Sequence, residues 1–468
     1  MNYLHFVAYP VTPHIETDLE ILYQNMKTNP NIKVCICRRA MYMCFNNPTH
    51  KNSICTLCIG RILNGLKLIK FPKENIIFIE KRDRLTYKEY NFNDVNELIN
   101  FEYDGQLLGR SAASSLIDIL NKDFNFDTIK YKDMVNASLN TSIFLYIYLK
   151  ELIIKERIEK VIMFNGRITE FNVCVNVCKK LGIPFTVHER AGTIKKYILI
   201  ENSVPQDYKI AHDIEKIWNR SNDPNKYRIA EQLYIERRNG KDQSWYSFTK
   251  HQKRDMLPSN FDRTKKNIAF FDSTIQEFFI FKEQIVRIYR DFFEAIEKIC
   301  KDLLQDEHYH IYFRVHPNLK NTNNTQIQKY KEIAKKYKNI TLIEPESLID
   351  SYYLMDNCEK LVVFSSTIGI EAIYWGKPCI LLFNTYYSHL NGNYIPKTHE
   401  EVIQLIRSDL KPKDKLLALM YSYWELSRGI EFELFEADDL GTGKFLGKKL
   451  GYPISSLVIY TIQKYLKT

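Results

Sequence analysis

Runs of apolar residues without polar alternation recur along the chain, each followed by a stretch whose apolar positions fall three to four apart. Lys160 to Phe164 (KVIMF) is one such run, as expected of a parallel strand buried on both faces. A turn at Asn165-Gly166-Arg167 follows. Ile168, Phe171, Val175 and Cys178 then stand at helical spacing, and the helix is expected to end at Gly182, before Pro184. Phe185 to His188 reads as the next strand, completing a βαβ unit. Leu4 to Tyr9 reads as a first strand, stopped by Pro10.

The stretch from Trp218 to Phe261, with RSNDPNKYR and RRNGKDQSW, is charged and loop-like. Beyond it the alternation restarts. Strands are expected over Asn267–Phe271, His310–Val315, Ile340–Ile343, Lys360–Phe364 and Cys379–Phe383. Helices are expected over Phe281–Leu304, Thr325–Tyr337, Ser347–Met355 and Ile368–Trp375. The pattern predicts an α/β protein with two Rossmann-like doubly wound domains, residues 1–250 and 262–400, and a helical tail over 401–468 packing back on them.

Composition narrows the class. Of 468 residues 45% are hydrophobic and 26% charged, which excludes a disordered, collagen-like or coiled-coil chain. The formal charge of +10 is a mild excess for this length; it suits an anionic ligand or membrane surface and does not argue for nucleic acid. The most apolar stretch, Ser142 to Ile154, is broken by Lys150 and Glu151. The opening MNYLHFVAYPVTPH has neither a basic segment nor a small-residue cleavage site, so no signal peptide is expected. Ten cysteines in such a chain are expected to be reduced, and a cytoplasmic location is expected.

In doubly wound sheets the ligand sits beyond the carboxyl ends of the strands. Three such ends carry suggestive residues: Asp272-Ser273-Thr274 followed by Glu277, Arg314-Val315-His316-Pro317, and Ser365-Ser366-Thr367 with Glu371 one turn further on. Hydroxyls and free N–H groups at a helix start favour an anion. His316 can donate to a phosphate, and Glu371 can accept from ribose hydroxyls. Taken alone, Ser-Ser-Thr before a helix is more often only an N-cap. Its order with the other two ends on successive strands of one sheet shifts the weight towards a binding site.

These motifs resemble the nucleotide-binding half of GT-B glycosyltransferases, in particular bacterial families of capsule and surface-polysaccharide synthesis. Those include sialyl- and Kdo-transferases with an R-x-H-P motif and a later S-S or S-T motif. The resemblance implies two domains facing across a cleft, with the donor held in the second by Ser273, Thr274, Arg314, His316, Ser365, Ser366, Thr367 and Glu371. It implies a nucleotide-sugar donor, with CMP a candidate, and a glycan or lipid-linked glycan acceptor. The mild basic charge and abundant aromatics fit peripheral contact of a cytoplasmic enzyme with the inner membrane. The alternatives are a GT-B-fold nucleotide-sugar epimerase and a non-catalytic partner subunit of a polysaccharide synthase.

The first half resembles the same group through Phe164-Asn165-Gly166-Arg167, His188-Glu189-Arg190-Ala191-Gly192 and Tyr103-Asp104-Gly105; relatives usually read H-E-R-G, without Ala191. An inverting transferase needs a carboxylate to deprotonate the acceptor hydroxyl. Asp104, which resembles the sialyltransferase base, is the first candidate and Glu189 the second, with His188 and His316 completing the catalytic set. The competing readings are an Asp-Gly turn for Asp104 and an ion pair with Arg190 or Arg167 for Glu189. Asn165, Arg167 and Arg190 are acceptor-binding candidates. No Asp-x-Asp motif adjoins these strand ends, so catalysis is expected to need no cofactor.

Five cysteines fall within a short stretch: Cys35, Cys37, Cys44, Cys55 and Cys58. Cys37, Cys44, Cys55 and Cys58, ending in a C-x2-C knuckle, are candidate ligands of a structural zinc, with His50 as a substitute. Core packing is the competing reading, above all for Cys35 and Cys37.

Overall fold

The computed structural model describes residues 1–275, 287–452 and 454–465. Glu277 and the first part of the helix expected over Phe281–Leu304 lie outside these. The chain divides into two compact units. The first comprises residues 1–120, 125–205 and 429–468, and the second 121–124 and 206–428.

In chain order the first unit contains β1 (Tyr3–Val7), α1 (His14–Met26), β2 (Ile32–Arg38), α2 (Asn52–Leu68), β3 (Ile76–Glu80), α3 (Val95–Ile99), α4 (Leu108–Ile119), α5 (Lys132–Lys155), β4 (Lys160–Phe164), α6 (Thr169–Leu181), β5 (Phe185–Arg190) and β6 (Lys196–Glu201). Strands β3-β2-β1-β4-β5 lie side by side and parallel, and β6 adds antiparallel to β5. The KVIMF run is β4, buried from its second residue onward, and α6 ends at Gly182 in the left-handed conformation, both as its pattern dictates. α5 is long and apolar enough to cross a membrane. With 67% of its apolar window buried inside the protein, packed against α4 and α6, it is a core helix.

The second unit opens with α7 (Ile214–Arg220) and α8 (Lys226–Arg238). It continues through β7 (Lys266–Phe271), α9 (Phe292–Leu303), β8 (Tyr309–Arg314), α10 (Thr325–Lys336), β9 (Ile340–Ile343), α11 (Ser351–Asn357), β10 (Lys360–Val363), α12 (Ile368–Tyr374), β11 (Cys379–Leu381), α13 (His399–Arg407) and α14 (Lys415–Ser427). Its five strands are all parallel, in the order β9-β8-β7-β10-β11. Alternation along each strand sends neighbours to opposite faces. Ala269, Phe271, Tyr312 and Leu361 join one core with α7, α8, α11, α12 and α14. Ile268, Phe270, Phe313 and Val362 join the other with α9, α10 and α13.

Both sheets thus carry the 3-2-1-4-5 order of a doubly wound fold. The expected pair of doubly wound α/β domains is present. The division of the chain differs from the expected one. Residues 206–250, read as the end of the first domain, belong to the second unit, because Ala211, Ile214, Trp218, Ala230, Leu233 and Tyr234 are buried in its core. The expected tail is split as well: α13 and α14 complete the second unit, and residues 429–468 return to the first. There β12 (Ile430–Glu431) pairs with β6, β13 (Phe435–Ala437) with β14 (Gly443–Phe445), and α15 (Ile454–Tyr465) packs on α2.

Candidate functional site

A 3-2-1-4-5 sheet has its topological switch between the first and fourth strands, where ligands of such folds bind. In the second unit this is the end of β7 and β10. Residues Asp272, Ser273 and Thr274 leave β7; Ser365, Ser366 and Thr367 lead from β10 into α12. The two loops touch: the Ser365 N–H donates to Ser273 Oγ at 3.3 Å. Among the described residues, Thr274 Oγ1 and Ser365 Oγ are buried without a hydrogen-bond partner. Ser366 Oγ accepts from the Ile368 N–H at 3.4 Å, and the Tyr387 hydroxyl donates to the Ser366 carbonyl. Gly369 makes this approach sterically feasible, since a Cβ there would stand 2.5 Å from the Tyr387 hydroxyl.

His316 follows the neighbouring strand β8. Its Nδ1 accepts from the Asn318 N–H at 3.1 Å, which leaves the proton on Nε2, and its ring meets Phe248 edge-on at 4.9 Å. Burial, reinforced by Lys122 and Arg314, lowers its pKa to about 4. At neutral pH His316 is therefore an uncharged donor. Asp272 anchors the arrangement. It accepts from Tyr330 at 2.8 Å and Gln326 at 2.9 Å, and from the backbone of Ser273 and His316. Burial outweighs these bonds and raises its pKa to about 7.

Two expected donor ligands are engaged elsewhere. Arg314 is buried, and its guanidinium donates to the carbonyls of Glu344 (3.3 Å) and Ser347 (3.2 Å), fastening the loop after β9. Glu371 is held in the interior by Arg237 at 3.1 Å and by the Tyr352 hydroxyl at 2.5 Å. Arg237, on a helix hidden in a stretch read as loop, carried no motif by which to find it.

The first unit's switch lies between β1 and β4. Asn165, at the end of β4, has φ +56° and Gly166 φ +72°, a left-handed pair that Asn and Gly tolerate best. This turn aims the Asn165 side chain. Its Oδ1 accepts from the Arg167 N–H at 3.0 Å and its Nδ2 donates to Glu189 Oε2 at 2.7 Å. Glu189 Oε1 accepts from the Arg190 N–H at 2.9 Å and lies 3.8 Å from His14 Nδ1. His14 opens α1, and burial holds its pKa well below the ordinary value. Tyr9 stacks on Phe164 at 5.3 Å, and the charges of Arg190 and Glu189 both act on its hydroxyl. Tyr9 and His14 were missed in the sequence; their only signal was position just beyond β1.

Asp104 is elsewhere. Its carboxylate accepts from Lys150 at 2.6 Å and Tyr146 at 2.8 Å, and these bonds lower its pKa to about 2. Lys180, which bonds its carbonyl, sits in the last turn of α6, and hence at the amino end of β5, away from Glu189. A carboxylate so held is a poor base. Arg167 is likewise turned away, paired with Asp118 at 2.7 Å.

His188 precedes Glu189 on β5 and so points to the opposite face. It is buried, with Nε2 2.7 Å from Asp18 Oδ1, the same atom that His5 Nε2 approaches at 2.7 Å. Burial pushes the Asp18 carboxyl up, but the two imidazoles outweigh it and hold it below its ordinary value. His188 is thus a buried tie between β1, β5 and α1, not a group that meets substrate. These three ligand atoms lie within 4.8 Å of one another, the one such His/Cys/Asp/Glu group among the described residues. The thiols of Cys37, Cys44, Cys55 and Cys58 are near enough to act on one another electrostatically, and burial raises all four. Their sulfurs do not close to that mutual distance. Asn47 donates to Cys55 Sγ at 3.2 Å, and His50 is spent on Arg84 at 3.2 Å.

Residues 225–392 match the family model described as capsule polysaccharide biosynthesis protein, a stretch that takes in β7 to β11 and the residues of the β7/β10 switch. No curated protein matches the chain. Among solved structures it is similar to the Thermosulfurimonas dismutans KpsC beta Kdo 2,4 transferase, at 13% identity and TM-score 0.38, over 68% of this chain and 95% of that one. It is also similar to a Neisseria meningitidis UDP-GlcNAc 2-epimerase bound to UDP-GlcNAc, at 12% identity and TM-score 0.30, over 100% of both chains.

Proposed function

We propose that the chain is a glycosyltransferase that moves a sugar from a nucleotide-sugar donor to a capsule or other surface-polysaccharide acceptor. The observation that carries this reading is the β7/β10 switch, inside the stretch that matches the capsule family. Two buried hydroxyls without partners among the described residues, Thr274 and Ser365, adjoin a loop held by Ser273, and the uncharged Nε2–H of His316 follows the next strand. Donors that are fixed before the reaction stabilise charge developing on a leaving nucleoside phosphate.

Glu189 is the base in this reading. It takes the proton of the acceptor hydroxyl as that oxygen bonds to the anomeric carbon, and the sugar–phosphate bond breaks with its electron pair going to the phosphate. Asn165 and the Arg190 N–H hold the carboxylate in place. The named groups supply both proton acceptance and leaving-group stabilisation, so the step is written without a metal ion. A cytoplasmic location, at the inner face of the membrane, goes with this reading.

Calorimetric titration with CMP, CDP, UDP and GDP tests it. One of these is expected to bind, and more weakly to His316→Ala. Binding of none would overturn the donor site. Sugar transfer to acceptor, rather than interconversion of the free nucleotide sugar, separates a transferase from an epimerase.

A further inference from the structure

We infer that Cys37, Cys44, Cys55 and Cys58 hold an iron–sulfur cluster. They come from three places in the first unit. Cys37 stands near the end of β2, Cys44 opens the turn closed by Asn47, and Cys55 and Cys58 lie one turn apart at the start of α2. Each is close enough to every other to act on it electrostatically, so the four gather in one place. They are also the partly exposed cysteines of the chain; Cys35, Cys174, Cys178, Cys300, Cys358 and Cys379 are buried. Thiols that only filled a core would not divide in this way.

The groups around these sulfurs suit thiolates. The chain turns at Arg39, in the left-handed conformation (φ +64°), and the N–H groups of Arg39, Ala40 and Met41 all donate to the Cys37 sulfur. Arg84 fastens that turn: its guanidinium donates to the carbonyls of Arg39 at 3.1 Å, of Met41 at 2.7 Å and of Ala40. It has no carboxylate partner among the described residues, and its charge acts on Cys37 and Cys55. Asn47 donates to Cys55 Sγ at 3.2 Å, and Arg39 and Lys81 add positive charge there. A neutral thiol accepts hydrogen bonds weakly, whereas successive N–H groups and nearby cations favour an anionic sulfur centre.

Spacing decides between metals. A single zinc ion, with Zn–S bonds of about 2.3 Å, draws all four sulfurs to about 4 Å of one another. Here no three of the four lie within 4.8 Å of one another. In an iron–sulfur cluster the irons share out the ligands, at most two thiolates to each, and sulfide fills the space between them. Each thiol releases its proton to solvent as its sulfur bonds iron. The cluster ties the end of β2, the 44–47 turn and the start of α2 together. None of its ligands belongs to either switch, so it stands or falls apart from the transferase reading.

The test is metal and sulfide analysis of the full chain purified under argon. It is expected to be brown and to contain iron and acid-labile sulfide in equal amount, about two or about four of each per chain. Cys44→Ala with Cys55→Ala should lower bound iron about tenfold or more. Cys300→Ala, in the second unit's core, should leave it unchanged. Because loss of a ligand can unfold a chain, the location is read on the unmodified protein as well. Iodoacetamide under argon should label Cys37, Cys44, Cys55 and Cys58 only after a chelator has stripped the iron, as peptide mass spectrometry would show. Zinc in place of iron, iron without sulfide, or no metal at all would overturn the proposal. Iron retained by the double variant would overturn it too, as would labelling of the four thiols that ignores the chelator.

Discussion

The two switch points share a strand order and differ in how their polar groups are committed. At the β1/β4 switch both oxygens of Glu189 are engaged, by Asn165 and by the Arg190 N–H, on a left-handed turn. At the β7/β10 switch two buried hydroxyls have no partner among the described residues, and the imidazole that follows the neighbouring strand is uncharged with a proton to offer. A buried hydroxyl without a partner costs about 1–3 kcal/mol. One end holds a carboxylate in a fixed place; the other leaves hydroxyls uncommitted, which the proposed donor site would use. The loop residues, not the shared topology, make that difference.

The sharpest way to break that contrast is at the carboxylates. Glu189→Gln is expected to lower turnover by about 10²–10⁴-fold with nucleotide affinity unchanged. Asp104→Asn, already paired and remote, should stay within a few-fold, as initial rates at saturating donor would show. Equal losses in both would erase the distinction drawn here.

The buried tie beneath the first switch is tested by unfolding. Asp18→Ala leaves His5 and His188 without their shared acceptor, and urea denaturation should show a loss of about 3–5 kcal/mol.

A pH series sharpens the picture of the second switch. Asp272, pushed up to about 7, keeps its proton in the folded chain at pH values where the unfolded chain, near 3.8, has lost it. The stability it contributes is full below about pH 4 and is lost as pH rises through about 7, with a slope of at most about 1.4 kcal/mol per pH unit. Asp272→Asn should flatten that slope in thermal melts. A slope of the opposite sign would place an ionised carboxylate there.

The smallest effect is expected at His316. Replacement by Ala removes one hydrogen bond to a charged phosphate, so nucleotide binding should weaken by about 10- to 100-fold. Stability should fall by only about 1 kcal/mol, for the lost bond from Asn318. Calorimetry and urea unfolding on the same preparation read the two together.

Much of the second sheet was legible because its strands are buried on both faces. KLVVF and its counterparts contain no polar alternation to confuse with surface. α8 was not legible: its charged residues, Arg228, Glu231, Glu236, Arg237 and Arg238 among them, swamp Ala230, Leu233 and Tyr234, which make the core contact, and Arg237 on that same face turns inward to Glu371. α1 hid for the opposite reason. No helix is expected from its polar run, yet it forms with Glu16 buried against Arg61 at 2.7 Å and Asp18 against two histidines. Partners so distant in the chain leave no local pattern. The strand ends themselves were found, since a polar residue after an apolar run marks them. Which side chains point at the ligand was not, as with Arg314 and His188, because it depends on the neighbouring strand's loop.

The route of the chain bears on its synthesis. The first unit's sheet is left at Pro205 and rejoined only at Gly429, where β12 and α15 add to β6 and α2. A ribosome working at roughly 5–20 residues per second takes on the order of 10–40 s over the intervening segment. For that interval β6 is an open edge and the α2 surface is bare, while the second unit is itself still being made. Nascent chains stalled in this window would therefore expose the β6 edge of the first unit together with an unfinished second unit to chaperones and proteases.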